Sequence, residues 1–221
     1  VEGFPTGTDS AKISYGGNND DDNSGVLRFV SIRYGGFPLS EDNEINGLTL
    51  GAVGRGTDIS YVEVFNNSDD GIEFFGGTVN THHMVMAFNE DESYDIDEGY
   101  RGTNQFWFAI QKNTFAGSNF AGEHDGGNDK ADKTLEPKAR TIVYNATFIG
   151  AGAGSGNPQD NFVFRLKDHW AGQYHNSVFV DFKDGAIRID TDSPSAPEAE
   201  LENNTFGLLG TYDGTVDSIL R

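Results

Sequence analysis

Acidic side chains recur at equivalent places in short segments that alternate apolar and polar residues. The stretch 71–75 reads Gly-Ile-Glu-Phe-Phe, and 93–97 reads Ser-Tyr-Asp-Ile-Asp. If both are strands in register, Glu73 and Asp95 share a face and Asp97 lies two residues further along it. The stretch 122–125, Gly-Glu-His-Asp, would extend both rows with Glu123 and Asp125.

Stacked carboxylates about 4.8 Å apart repel one another, unless a cation, an interleaved base or a shared proton relieves the charge. Hard oxygen ligands in a chain without cysteine suit Ca²⁺ better than Zn²⁺. The sequence therefore predicts a Ca²⁺ site formed by Glu73, Asp95, Asp97, Glu123 and Asp125. A solvated acidic face and a catalytic cluster remain open as alternatives.

The same rows contain residues that suit acid–base chemistry. His124 lies between Glu123 and Asp125, where neighbouring carboxylates would raise the pKa of the imidazole and make it a general acid. The alternative is a loop histidine that hydrogen-bonds its neighbours. If the chain is an enzyme, the candidate catalytic residues are Asp97, Glu123, His124, Asp125, Arg165 and Lys167.

Other candidate sites have weaker patterns. Trp107 falls on the predicted outward phase of its strand and Trp170 in a turn, so both are candidate glycan-binding residues; packing under a loop is the alternative for Trp107. The run Asp20 to Gly25 resembles half of a calcium loop, but a plain turn fits better, because Ser31 stands where a bidentate Glu belongs. His169 and His175 alone are too few for a zinc site.

The spacing of these segments predicts the architecture that positions them. Asp69 and Asp91 are 22 positions apart, Gly56 and Gly77 are 21 apart, and the stretches 160–165 and 184–189 start 24 apart. A period in the low twenties, formed by short strands and turns, is typical of a β-solenoid. We expect one all-β domain over 1–221, a right-handed parallel β-helix with lateral loops at 116–139 and 150–156. A β-sandwich or jelly roll is the alternative.

Composition excludes several classes of function. The chain has 221 residues and a formal net charge of −20, which repels nucleic acid and anionic membranes and attracts cations. No run approaches the roughly 18 apolar residues that a bilayer span needs. The chain opens without an initiator methionine, so we expect a trimmed piece of a longer precursor.

Six motifs, in the order NSGVLRFVSIRYGG, NEINGLTLGAVGRGT, DDGIEFFGGTVN, DESYDIDEGYRGTNQFWFAIQ, GEHDGG and AGQYHNSVF, resemble a family of secreted β-helix proteins of Bacteroidota and marine bacteria. Members often carry a C-terminal sorting tail or a lipoprotein anchor. The resemblance covers about 1–182 and implies a β-helix at or outside the cell surface. The family has no settled activity, so the resemblance implies no catalytic role.

Two functions follow from these observations. The first is a secreted or cell-surface module, stabilised by Ca²⁺, for adhesion, glycan contact, extracellular assembly or self-association. The second is a polysaccharide lyase or glycoside hydrolase that acts on the outer wall of the β-helix. A lyase requires an unpaired Arg or Lys that faces the cation across a groove, and this geometry discriminates between the two.

Overall fold

The computed structural model describes residues 7–39, 45–113, 120–127, 136–152, 154–155, 160–190 and 199–210. Strands dominate this part of the chain, and the one helix in it has four residues. In chain order the elements are α1 (Ser10–Ile13), β1 (Val26–Arg33), β2 (Leu48–Gly51), β3 (Asp58–Phe65), β4 (Ile72–Phe75), β5 (Thr81–Ala87), β6 (Tyr94–Asp97), β7 (Thr103–Ile110), β8 (Phe120–Asp125), β9 (Ile142–Tyr144), β10 (Thr147–Ile149), β11 (Phe162–Lys167), β12 (Gln173–His175), β13 (Val178–Val180), β14 (Gly185–Ile189), β15 (Glu200–Glu202) and β16 (Thr205–Gly207).

The strands form two parallel sheets that share successive coils of one solenoid. The six-stranded sheet has the order β2-β4-β6-β8-β11-β14, and the ten-stranded sheet contains the remaining strands. Each coil therefore contributes once to the first sheet and once or twice to the second. The predicted right-handed parallel β-helix is confirmed, and the β-sandwich alternative is excluded because every described strand pair is parallel.

A bend in the left-handed backbone region divides the ten-stranded sheet into two faces. In β1, β3, β5 and β7 the bend falls on an aromatic residue, and in the next three coils on an asparagine that separates two short strands. The seven residues in this row have φ between 53° and 57° and are Phe29, Tyr61, His83, Phe106, Asn145, Asn176 and Asn203.

This bend reverses the alternation of inward and outward side chains within a strand. Trp107, predicted outward, is 1% exposed, whereas its neighbour Phe106 is 42% exposed. The prediction that Trp107 faces outward is therefore wrong. Its ring stacks on Tyr94 in the core at a centroid distance of 4.2 Å, and its Nε1 donates to Oγ1 of Thr81.

Two predicted loops are placed differently. Residues 120–125, inside the segment predicted as a lateral loop, form strand β8, whereas 116–119 and 128–135 lie outside the described residues. The predicted loop at 150–156 is described only in part, without 153 and 156.

The segment at Asp20 packs against later coils, because the Asp20 carboxylate accepts from Arg101 at 3.0 Å. None of the described helices could cross a bilayer.

Candidate functional site: an acidic and basic outer wall

The outward side chains of the six-stranded sheet form the predicted rows. The strand register aligns Glu73 with Asp95, Asp95 with Glu123, Glu123 with Arg165, and Arg165 with Arg188. The residues between them, such as Phe74 and Ile96, point inward and are fully buried, as strand alternation requires. The predicted ladder of Glu73, Asp95 and Glu123 is therefore present, and basic residues continue it.

A second row lies two residues further along the strands. Phe75 aligns with Asp97, and Asp125 aligns with Lys167. Burial, followed by repulsion from Asp97, raises the pKa of Asp125 to about 7. Burial also raises the pKa of Asp97. At neutral pH Asp125 is therefore only partly ionised, which reduces its repulsion with Asp97.

Three further acidic residues precede strands β4 and β6 and were not predicted as part of the site: Asp70, Asp91 and Glu92. Oxygens of Asp70, Glu73 and Asp95 lie within 4.8 Å of one another, and so do oxygens of Asp70, Asp91 and Glu92. We call these five residues the acidic cluster. The sequence contained the signal, since Asp70 and Glu92 are 22 positions apart, like Glu73 and Asp95. Asp70 belongs to both groups of oxygens. It also joins neighbouring coils, because its carbonyl accepts from the N–H of Gly47 and its carboxylate accepts from the N–H of Glu92.

A buried amide adjoins this cluster. Asn46 immediately precedes Gly47, whose N–H donates to the carbonyl of Asp70, so Asn46 and Asp70 lie in the same row. Nδ2 of Asn46 donates to Glu73, while Oδ1 is buried with no hydrogen-bond partner among the described residues. An unpartnered buried oxygen costs about 1–3 kcal/mol, so a ligand that paired with this Oδ1 would stabilise the folded protein.

The electrostatics of the acidic cluster require a positive charge or protons. Burial, and then repulsion by neighbouring carboxylates, raises the pKa of Asp70, Glu92 and Asp95 well above ordinary values. A cation that binds such carboxyl groups displaces any protons that they hold. Oxygen ligands of this kind are those that Ca²⁺ prefers.

The basic half of the wall is already paired. Nη1 of Arg165 lies 2.6 Å from Oε2 of Glu123 and its Nη2 lies 2.7 Å from Asp190, while Lys167 contacts the other oxygen of Glu123. Arg188 contacts Asp160. The structure thus divides the predicted ligand set into three parts: Glu73 and Asp95 in the acidic cluster, Glu123 held by two bases, and Asp97 with Asp125.

His124 lies on the opposite side of its strand from Glu123 and Asp125. Its side chain is fully buried, and Nε2 lies 2.9 Å from the hydroxyl of Tyr174. Burial lowers the pKa of His124 to about 3, so the expected rise is wrong and the imidazole is neutral in the core. The reason is strand alternation, which separates adjacent residues onto opposite faces.

Trp170 is also buried, at 1% exposure, with its ring 4.8 Å from the ring of His124. Neither predicted tryptophan is therefore available as an exposed sugar platform. The two groups of converging carboxylates described above include neither His169 nor His175.

A family model described as a pectate-lyase-like β-helix domain matches residues 3–213. The chain belongs to this family. No curated protein and no solved structure matches the chain. Membership in the pectate-lyase-like β-helix family confirms the parallel β-helix that the six motifs implied.

Proposed function

We propose that this protein is a β-helix module whose acidic cluster binds Ca²⁺ and whose outer wall contacts glycans. The observation that carries the proposal is the convergence of oxygens from Asp70, Glu73 and Asp95, next to a buried Asn46 whose Nδ2 donates to Glu73 and whose Oδ1 has no partner among the described residues. The cation would hold three successive coils together, because these residues come from the coils of β2, β4 and β6. We place the module outside the cell, following the resemblance to secreted β-helix proteins.

The test is the effect of cations on thermal stability. A ligand that binds only the folded state stabilises it by roughly 2.7 kcal/mol at a hundredfold excess over Kd. Chelation should lower the Tm, and Ca²⁺ should restore it better than Mg²⁺, which demands a tighter octahedral site. Asp95→Asn should abolish the response, whereas Asp21→Asn, at an exposed aspartate outside the cluster, should leave it intact. No response in the wild-type protein, and no bound metal by elemental analysis, would remove the cation from the proposal.

A second candidate is a polysaccharide lyase or hydrolase that uses the same wall. The observation that favours it is the row in which Asp97, Asp125 and Lys167 follow one another, with the pKa of Asp125 at about 7. Asp125 would protonate a leaving oxygen near neutral pH, and Asp97 would remain the carboxylate partner. Against a lyase, each basic side chain described on this wall already contacts a carboxylate.

Product analysis separates the two candidates. The protein is incubated with polygalacturonate, alginate and neutral glycans, and unsaturated ends and reducing ends are measured. A lyase forms both kinds of end, a hydrolase forms only reducing ends, and a binding module forms neither. Asp125→Asn and Lys167→Met should each abolish any turnover without abolishing the Ca²⁺ effect on Tm, which distinguishes chemistry from cation binding.

A further inference from the structure

A separate cleft lies at the corner where strands of the ten-stranded sheet end. Asn66, Phe88, Gln111, Gly150 and Asp181 occupy the same position in successive coils, as the backbone hydrogen bonds between neighbouring coils show. The cleft has a volume of about 590 Å³, which lies in the range of small-molecule sites. It is not formed by the outer wall described above.

Small residues line the part of the cleft that lies next to Asp181. Gly150 and Ala151 stand between Gln111 and Lys112 on one side and Asp181 on the other. A Cβ atom at Gly150 would lie 2.5 Å from the carbonyl oxygen of Asp181, so no larger residue fits that position without movement of the backbone. Gly150 therefore lets its coil pack closely against the backbone of Asp181 at the edge of the cleft.

The lining combines apolar and polar groups. Phe88, Ile110 and Ile149 supply the apolar surface. Nζ of Lys112 lies 3.1 Å from Oε1 of Glu90, so these two charges compensate each other.

Three further polar side chains lining the cleft, Asn66, Asn113 and Asp181, have no side-chain hydrogen bond or ion pair with any other described residue. Their amide and carboxylate groups can therefore bind a ligand without first breaking a side-chain contact to another described residue. The amides offer both donors and acceptors, and the carboxylate offers acceptors.

This chemistry fits a sugar ring. A pyranose has an apolar face, which packs on aromatic and aliphatic side chains, and hydroxyl groups at its edge, which pair with amides and carboxylates. Because Glu90 and Lys112 compensate each other, Asp181 leaves the cleft with one uncompensated negative charge, which disfavours an anionic uronate. We propose that the corner cleft is a cation-independent binding site for a neutral pyranose.

This site goes beyond the proposed function of the outer wall and can be tested apart from it. The isotopically labelled protein, kept in chelator, is titrated with the methyl glycosides of glucose, galactose and mannose and of galacturonic acid, and amide shifts are followed by NMR. We expect saturable shifts for at least one neutral glycoside at Gln111, Lys112 and Gly150 and at the side-chain amides of Asn66 and Asn113. Chelator removes any contribution from the acidic cluster.

Two variants distinguish binding from folding. Asp181→Asn keeps a residue type that tolerates the left-handed backbone of this position, φ 64°, and should weaken neutral-glycoside binding roughly tenfold while strengthening uronoside binding. Ile149→Ala should weaken both. Glu200→Gln, an exposed control in another part of the solenoid, should change neither.

The proposal is overturned if no neutral glycoside gives saturable shifts, or if the shifts lie on the outer wall. It also fails if Asp181→Asn leaves both affinities unchanged while its spectrum shows a folded protein. Asp95→Asn should not affect the result, so a failure of the Ca²⁺ site and a failure of this cleft are separately visible.

Discussion

The raised pKa of Asp125 should make the free energy of unfolding depend on pH. Its folded-state pKa of about 7 lies above the value of about 3.9 for an unfolded aspartate. The folded protein therefore binds more protons than the unfolded chain between these pH values. The free energy of unfolding falls as pH rises through that window, by up to about 1.4 kcal/mol per pH unit from this group.

Asp125→Asn removes that dependence, and its Oδ1 can still accept from the N–H of Gly127. In chelator, the variant should gain stability relative to the wild-type protein as pH rises from about 4 to about 7, and the difference should then level off. Urea unfolding at a series of pH values measures it. A difference that is constant across this range would show that Asp125 is not perturbed in the folded protein.

Substitutions at Trp107 and Phe106 test whether the bend at Phe106 turns the Trp107 side chain into the core. A buried Trp truncated to Ala typically costs about 3–5 kcal/mol, so Trp107→Ala should lower the free energy of unfolding by that amount. Phe106→Ala, at the exposed neighbour, should cost far less. Urea unfolding of the two variants checks this order, and the reverse order would restore the outward placement of Trp107.

The sequence could not show this reversal, because strand alternation was the only rule available and a left-handed residue breaks it. Left-handed backbone is usually signalled by Gly or Asn, and Phe106 and Tyr61 give no such signal. By contrast, the period of 22 predicted the register of Glu73 and Asp95 correctly, since both lie on short strands without a bend. The corner residues Asp70 and Glu92 repeat with the same period of 22, but they were missed because they precede the alternating segments from which the rows were predicted.

At the level of the coil, the left-handed position of the ten-stranded sheet holds aromatic residues in the early coils and asparagines in the later coils. Tyr61 stacks on Phe29 at 4.9 Å and on His83 at 4.6 Å, whereas later coils place Asn176 and its equivalents there. Left-handed backbone costs roughly 1–2 kcal/mol for most residues, and an aromatic pair returns about 0.5–1.5 kcal/mol. Stacking between coils therefore offsets much of the backbone strain.

Substitutions at Tyr61 separate the two contributions. Tyr61→Ala loses the stacking and keeps the strain, whereas Tyr61→Asn loses the stacking but relieves part of the strain, because Asn tolerates φ of 54°. The Asn variant should be more stable than the Ala variant by about 0.5–1 kcal/mol in urea unfolding. Equal stability of the two variants would show that the backbone at Tyr61 relaxes when the ring is removed.

For the whole molecule, a net charge of −20 favours the binding of protons and cations, and Ca²⁺, if it binds the acidic cluster as proposed, competes with protons there. Asp70, Glu92 and Asp95 have raised pKa values because they are buried and close together, so the calcium-free folded protein holds protons there that the unfolded chain releases. The calcium-free protein should therefore gain stability as pH falls from the raised values towards the ordinary value of about 4.

If Ca²⁺ binds the acidic cluster as proposed, it must displace those protons, so its stabilising effect should be greatest at high pH. We expect the rise in Tm caused by Ca²⁺ at about pH 8 to shrink strongly by about pH 5, as protons occupy the acidic cluster. Asp95→Asn should show little rise at either pH, and Asp21→Asn should behave like the wild-type protein. These values come from thermal melts with and without Ca²⁺ at each pH. A rise that does not depend on pH would place the cation on exposed carboxylates with ordinary pKa values, and not in the buried cluster.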